Sequence, residues 1–181
     1  MKWIILAIIL LIVFYVIGIY NSLVGKRNKV RNSWAQIDVQ LKRRFDLIPN
    51  LVNTVKGYAA HEKDTLEKVV QARNKFMSAT TPDEMMEANN ELTQMLNRLM
   101  VVVERYPELK ANANFMELQK ELSNTEDKIG FARQFYNDTV MSYNTSIERF
   151  PNNIIANSFN FKQEPFFRAE EESRKAPTVS F

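Results

Sequence analysis

VRNSWAQIDVQLKRRFDLIPNLVNTVKGYA, residues 30–59, places apolar side chains in steps of three and four. Val30, Trp34, Ile37, Leu41, Phe45, Ile48, Val52, Val55 and Ala59 fall on one stripe of an α-helix, with Lys, Arg, Gln and Asp on the other faces. Trp34 lies on this stripe and is expected to be largely buried. Leu66, Val69 and Phe76 continue the rhythm. Pro49 sits inside the stripe without shifting its phase, so a kink is expected there rather than an end. Gly57 and the polar run His61-Glu62-Lys63-Asp64 form a second weak point. The residues alone leave open whether the helix breaks there.

Downstream, Thr81-Pro82-Asp83-Glu84 offers an N-cap, a proline at the first helical position and a glutamate at the third, which together predict a capping box. Met85, Ala88, Leu92, Met95, Leu99, Val103 and Tyr106 form the inner face of the helix that follows, and Pro107 ends it. A third helix starts near Asn112 or Asn114. Its stripe runs Phe115, Leu118, Leu122, Thr125, Ile129, Ala132, Tyr136, Val140, Tyr143, Ile147 and Phe150, and Pro151 stops it. Short connections between long amphipathic helices force antiparallel neighbours. The residues 151–156 read as a turn. Phe159 and Phe161 are expected in a groove of the bundle, with Phe166 and Phe167 left for a partner or lipid.

Upstream, residues 3–20 (WIILAIILLIVFYVIGIY) carry no charge and span about 27 Å as a helix, enough to cross a bilayer. A cleavable signal peptide would have a shorter apolar core and a small-x-small site. Asn21-Ser22-Leu23-Val24-Gly25 follows instead, so the reading is a retained anchor. The fold class is therefore all-α: an N-terminal transmembrane helix followed by an antiparallel up-and-down helical bundle of three to four long helices. The expected divisions are an anchor over 1–24, a bundle over 25–150, an aromatic segment over 151–167 packing on the bundle, and a flexible tail over 168–181.

Residues 24–44 hold Lys26, Arg27, Lys29, Arg31, Lys42, Arg43 and Arg44 against Asp38 alone. Positive charge stays on the cytoplasmic side, which predicts a single-pass cell-membrane protein with a cytoplasmic bundle and the N-terminus outside. Residues 3–23 would then contact the bilayer, with Lys26, Arg27, Lys29 and Arg31 near anionic headgroups. Beyond residue 44 there are 16 basic and 20 acidic residues, so no nucleic-acid partner is expected.

Chemistry is harder to find. The absence of cysteine excludes disulfides and thiolate sites. Four glycines in 181 residues leave no glycine-rich phosphate loop. His61, the one histidine, has Glu62 and Asp64 beside it but reads as a solvated junction rather than a metal site. Glu67, Glu91, Glu117, Glu121 and Glu126 read as solvated faces. Ser142 and Ser146 lack a histidine to activate them. No catalytic, cofactor-binding or metal residue is therefore expected. Met85, Met86, Met95 and Met100 read as core, or as an adaptable partner surface. Asn32, Gln36, Gln40, Asn50, Asn53, Asn112, Asn114, Gln119, Asn124, Gln134, Asn137 and Asn144 lie beside the seams and are expected to pair across helix layers.

The run from Val30 to Tyr58 resembles the central motif of the LemA family of bacterial membrane proteins. His61-Glu62, Tyr106-Pro107, Leu109-Lys110-Ala111-Asn112, Phe131-Ala132-Arg133, Phe135-Tyr136-Asn137, Tyr143-Asn144 and Phe150-Pro151 carry the likeness onward. The resemblance implies one N-terminal transmembrane helix and a four-helix up-and-down bundle, which favours a break near Gly57–His61. The family is not known as enzymatic, and relatives are reported beside genes for membrane proteases and other envelope proteins. The resemblance thus implies a non-enzymatic scaffold or adaptor for an unidentified protein partner. The alternative is an enzyme or lipid-interacting protein with a site at the bundle–membrane junction.

Overall fold

The computed structural model describes residues 1–167; the segment read above as a tail, 168–181, lies outside them. Six helices follow in order: α1 (Lys2–Tyr58), α2 (Lys63–Ser78), α3 (Pro82–Val103), α4 (Pro107–Lys110), α5 (Ala113–Glu148) and α6 (Asn152–Ser158). Among the described residues there is no strand. They form two compact units, Asp38–Gly130 and Met1–Ile37 with Phe131–Phe167, and α1 and α5 contribute to both.

Asp38–Gly130 is an antiparallel bundle of four long helical segments, from α1, α2, α3 and α5, with the one-turn α4 between the last two. Within the unit, the start of one helix meets the end of its neighbour. Phe45 of α1 stacks on Phe76 of α2, with ring centroids 3.7 Å apart. Lys75 near the end of α2 pairs with Glu87 and Glu91 in the first half of α3, at 2.8 and 2.9 Å. Tyr58, closing α1, accepts a hydrogen bond from Asn112, which precedes α5. Leu41, Phe45, Ile48 and Val55 of the predicted stripe are buried, whereas Val52 is only half-buried and its neighbour Leu51, off the predicted stripe, is buried in its place. α1 continues through Pro49 and ends at Tyr58, with α2 restarting at Lys63. The chain therefore breaks at the second weak point.

The capping box forms as read. The Glu84 N–H donates to Thr81 Oγ1, while the Glu84 carboxylate accepts from the N–H groups of Thr80 and Thr81. Those backbone donors, Thr80 first, hold the Glu84 carboxyl below its ordinary range. A lowered folded-state value stabilises the fold above the usual carboxylate range, and the contribution disappears as pH falls through the lowered value. Thr81→Ala is expected to cost about 1 kcal/mol in urea unfolding at neutral pH. An unchanged midpoint would mean the box contributes nothing. The buried face of α3 is wider than predicted. Met86, Asn89 and Leu96 join Ala88, Leu92 and Leu99, while Met85, Met95 and Met100 are only half-buried. A bundle helix touches two neighbours, which widens its stripe.

In the other unit, α1 and α5 run antiparallel with a seven-residue register. Ser33 and Thr139 hydroxyls meet at 2.9 Å. Seven residues earlier in α1 and seven later in α5, Lys26 donates to Ser146 Oγ. Leu23 and Val30 of α1 and Val140, Tyr143 and Ile147 of α5 are buried in this unit. Trp34 is only half-buried, contrary to expectation; Ser33 takes the seam position, and the indole packs on Tyr136 at 5.6 Å. Phe150, placed at the end of the inner stripe by periodicity, is exposed because α5 has already ended at Glu148. The stretch read as a turn is a short helix, α6. It ends in a Schellman motif: Phe161 N–H donates to Ala156 O, Asn160 N–H donates to Asn157 O, and Asn160 takes φ 55°. Asparagine tolerates this left-handed conformation better than most residues. Burial of Phe161 on Ala156's side of that turn completes the motif and turns the chain back along α5.

Candidate interaction surfaces

Residues 161–167 form an extended strap along α5. Asn144 Nδ2 donates to the Glu164 carbonyl at 2.9 Å, and its Oδ1 accepts the Glu164 N–H at 3.0 Å. Asn137 treats Phe167 the same way, at 3.1 and 2.8 Å. Asn137 and Asn144 are two helical turns apart, about 10.5 Å. Glu164 and Phe167 are three residues apart, about 10 Å when extended. The two amides thus match the pitch of an extended chain running antiparallel to α5, and Tyr136 adds a hydrogen bond from its hydroxyl to Pro165 O. Phe161 is buried and Phe166 exposed, as expected, but Phe159 is exposed and Phe167 buried, so those two places are exchanged. Aromatic count alone does not fix phase; the amide register does.

The basic residues near the membrane divide. Lys26 is held by Ser146, and the Arg27 guanidinium lies 4.9 Å from the Phe161 ring centre. Lys29, 5.8 Å from the Phe135 ring centre, and Arg31 are exposed. Tyr143 is fully enclosed. Burial, then the charge of Glu164, pushes its hydroxyl above the usual phenol value, against the opposing pull of Arg27 and Arg31. It therefore stays a neutral phenol at physiological pH and offers no base at this junction.

In Asp38–Gly130 several polar groups pair across helices. Arg44, read as juxtamembrane charge, is instead buried. It donates to Asn89 Oδ1 at 2.8 Å and Thr93 Oγ1 at 3.1 Å, and pairs with Glu126 at 2.7 Å. This corrects the reading of Glu126 as a merely solvated residue. Asn89 and Thr93 were not singled out from the sequence, although Arg44 falls between Leu41 and Ile48 on the stripe, which is the signal that locates it. Glu62 accepts from Arg105 at 2.9 Å and from the Tyr106 hydroxyl at 3.2 Å, while His61 is exposed. Among the described residues no three His, Cys, Asp or Glu side chains converge as a metal site. Most amides expected to pair across layers, including Asn32, Gln36, Asn50, Asn53, Asn124 and Gln134, are exposed. One step beside a seam turns a side chain about 100° towards water.

An open cleft of about 580 Å³ lies between the end of α1 and α2. Val52, Leu66 and Val70 form part of its wall, and Lys56, Lys63 and Glu67 add charges of both signs.

The first turns of α1 are exposed from Trp3 to Tyr15 and belong to a helix long and apolar enough to cross a membrane. With antiparallel helices behind them, they define a membrane-anchored helical-bundle protein. The LemA family signature matches residues 33–181, and the chain belongs to the LemA family. It is 28% identical to "Protein LemA" of Metamycoplasma hominis, over 89% of this chain and 74% of that protein. It is 24% identical to "Magnetosome protein MamQ 2" of Paramagnetospirillum magneticum and 22% identical to "Magnetosome protein MamQ" of Magnetospirillum gryphiswaldense. Each of these alignments covers 89% of this chain and 68% of the relative.

Proposed function

We propose that the protein is a non-enzymatic, membrane-tethered adaptor, with its body on the cytoplasmic side and a protein partner bound at the cleft between α1 and α2. The cleft carries the reading. Its apolar wall at Val52, Leu66 and Val70 and its mixed-charge lining suit the apolar face of a partner helix. Orientation rests on Lys26, Arg27, Lys29 and Arg31 following the apolar run, against Lys2 before it. Of these, Lys29 and Arg31 are exposed and suited to anionic headgroups. Replacing both by Gln is expected to reduce the phosphatidylglycerol that copurifies with the protein; an unchanged lipid complement would remove that role.

The adaptor reading is tested by placing the photo-crosslinking residue benzoylphenylalanine at Val70, inside the cleft, or at Lys128, an exposed position on α5, in native membranes. A discrete protein adduct at Val70 and none at Lys128 is expected. No adduct at Val70, or the same pattern at both positions, would contradict partner binding in the cleft.

A further inference from the structure

We infer that α6 and the residues flanking it form a second membrane contact, a surface seated in the lipid headgroup–acyl boundary beside the transmembrane helix. The proposal rests on the anchor reading of residues 3–20 and extends it to a segment far away in sequence.

Position is the first argument. Lys26 is level with Ser146, and the two helices run antiparallel, so the last turn of α5 lies level with the residues just before Lys26. The chain after Glu148 therefore reaches the level at which the apolar run of α1 ends. Ring contacts fix it there: Tyr20 packs on Phe159 at 4.9 Å and on Phe161 at 5.7 Å. Within an otherwise exposed run, Val16, Ile19 and Tyr20 are half-buried and Leu23 is buried, at helical spacing. The last turns of the run are thus covered along one stripe.

Composition is the second. Residues 150–161, FPNNIIANSFNF, carry no charge in a chain that is 25% charged, and Arg149 and Lys162 bracket them. Phe150 is 75% exposed, and Ile154 and Phe159 are each more than half exposed. Ala156 alone among the α6 residues is buried inward. Three large apolar side chains facing outwards beside an apolar membrane span would form a costly patch in water. In the boundary region they are solvated by acyl chains, the asparagines and Ser158 meet headgroups, and the flanking cations reach phosphate. The occupant is therefore the bilayer that receives α1, not a separate protein.

The test uses the full chain in nanodiscs of phosphatidylethanolamine and phosphatidylglycerol. The native chain has no cysteine, so single labels are unique. An environment-sensitive fluorophore is attached at Ile154→Cys, Phe150→Cys, Phe135→Cys or Ile12→Cys. Emission at 154 and 150 is expected to be blue-shifted, quenched by nitroxide-bearing lipid and shielded from aqueous iodide, with the Phe135→Cys label showing the reverse. If 154 and 150 behave like 135 while Ile12→Cys is quenched by lipid, the seat is overturned and the anchor stands. If Ile12→Cys also escapes lipid quenching, the anchor reading fails and this proposal fails with it.

Discussion

Phe167→Ala is expected to destabilise the unit containing the strap by about 3–4 kcal/mol, and Phe166→Ala by about 1 kcal/mol or less. The two phenylalanines are neighbours, yet Phe167 is 3% exposed and Phe166 is 46% exposed. The Phe167 ring lies 6.3 Å from Trp34, and the Arg133 guanidinium sits 4.3 Å above it. Its main chain is held twice by Asn137, so losing the ring also loosens the ends of two hydrogen bonds. Denaturant unfolding of the detergent-solubilised full chain, followed through near-ultraviolet circular dichroism, reads both variants. Equal costs would mean the strap does not hold its register.

A second large effect is expected at Arg44. Arg44–Glu126 and Lys75–Glu87 are ion pairs of nearly equal length, 2.7 and 2.8 Å. They differ in surroundings: the Arg44 side chain is buried and Glu126 is 44% exposed, whereas both partners of the other pair are exposed. A double-mutant cycle with Arg44→Met and Glu126→Ala should give a coupling of about 2 kcal/mol, because Glu126 pairs with a guanidinium held away from water. The cycle on Lys75 and Glu87 should give about 0.5 kcal/mol or less. Glu126→Ala alone is expected to cost about 3 kcal/mol, with Asn89 and Thr93 still hydrogen-bonded to Arg44. Similar couplings in both cycles would show that burial is not what strengthens the first pair.

The parts of this molecule that were legible are those governed by helical period and caps. The apolar period between Leu41 and Val55 and the Thr81–Glu84 box follow from local rules; the residues of Gly57–Asp64 leave the break after Tyr58 open, and the family resemblance favours it. Where tertiary contacts decide, the sequence was less informative. FPNNIIANS has weak helix formers and a leading proline, so it reads as a turn; α6 forms because Ala156 and the Schellman closure through Phe161 hold it. Phe159, Phe161, Phe166 and Phe167 have no period; the turn after α6 sets Phe161 inward, and the spacing of Asn137 and Asn144 sets Phe167. Arg44 reads as part of the basic run by its charge, and as a seam residue only by its place between Leu41 and Ile48. The cleft beside α2 depends on the angle at which the chain re-enters after Tyr58, which no residue pattern encodes.

The proposed function places the body at the cytoplasmic face of a membrane, held there by the first turns of α1. Ser123 is exposed on α5, and the chain has no native cysteine to compete with a label. The direct measurement is labelling of a Ser123→Cys protein by a membrane-impermeant maleimide, before and after permeabilisation, beside a Lys2→Cys protein. Position 2 is expected to label in intact cells, and position 123 only once the membrane is opened. Labelling at position 123 in intact cells would contradict the cytoplasmic placement.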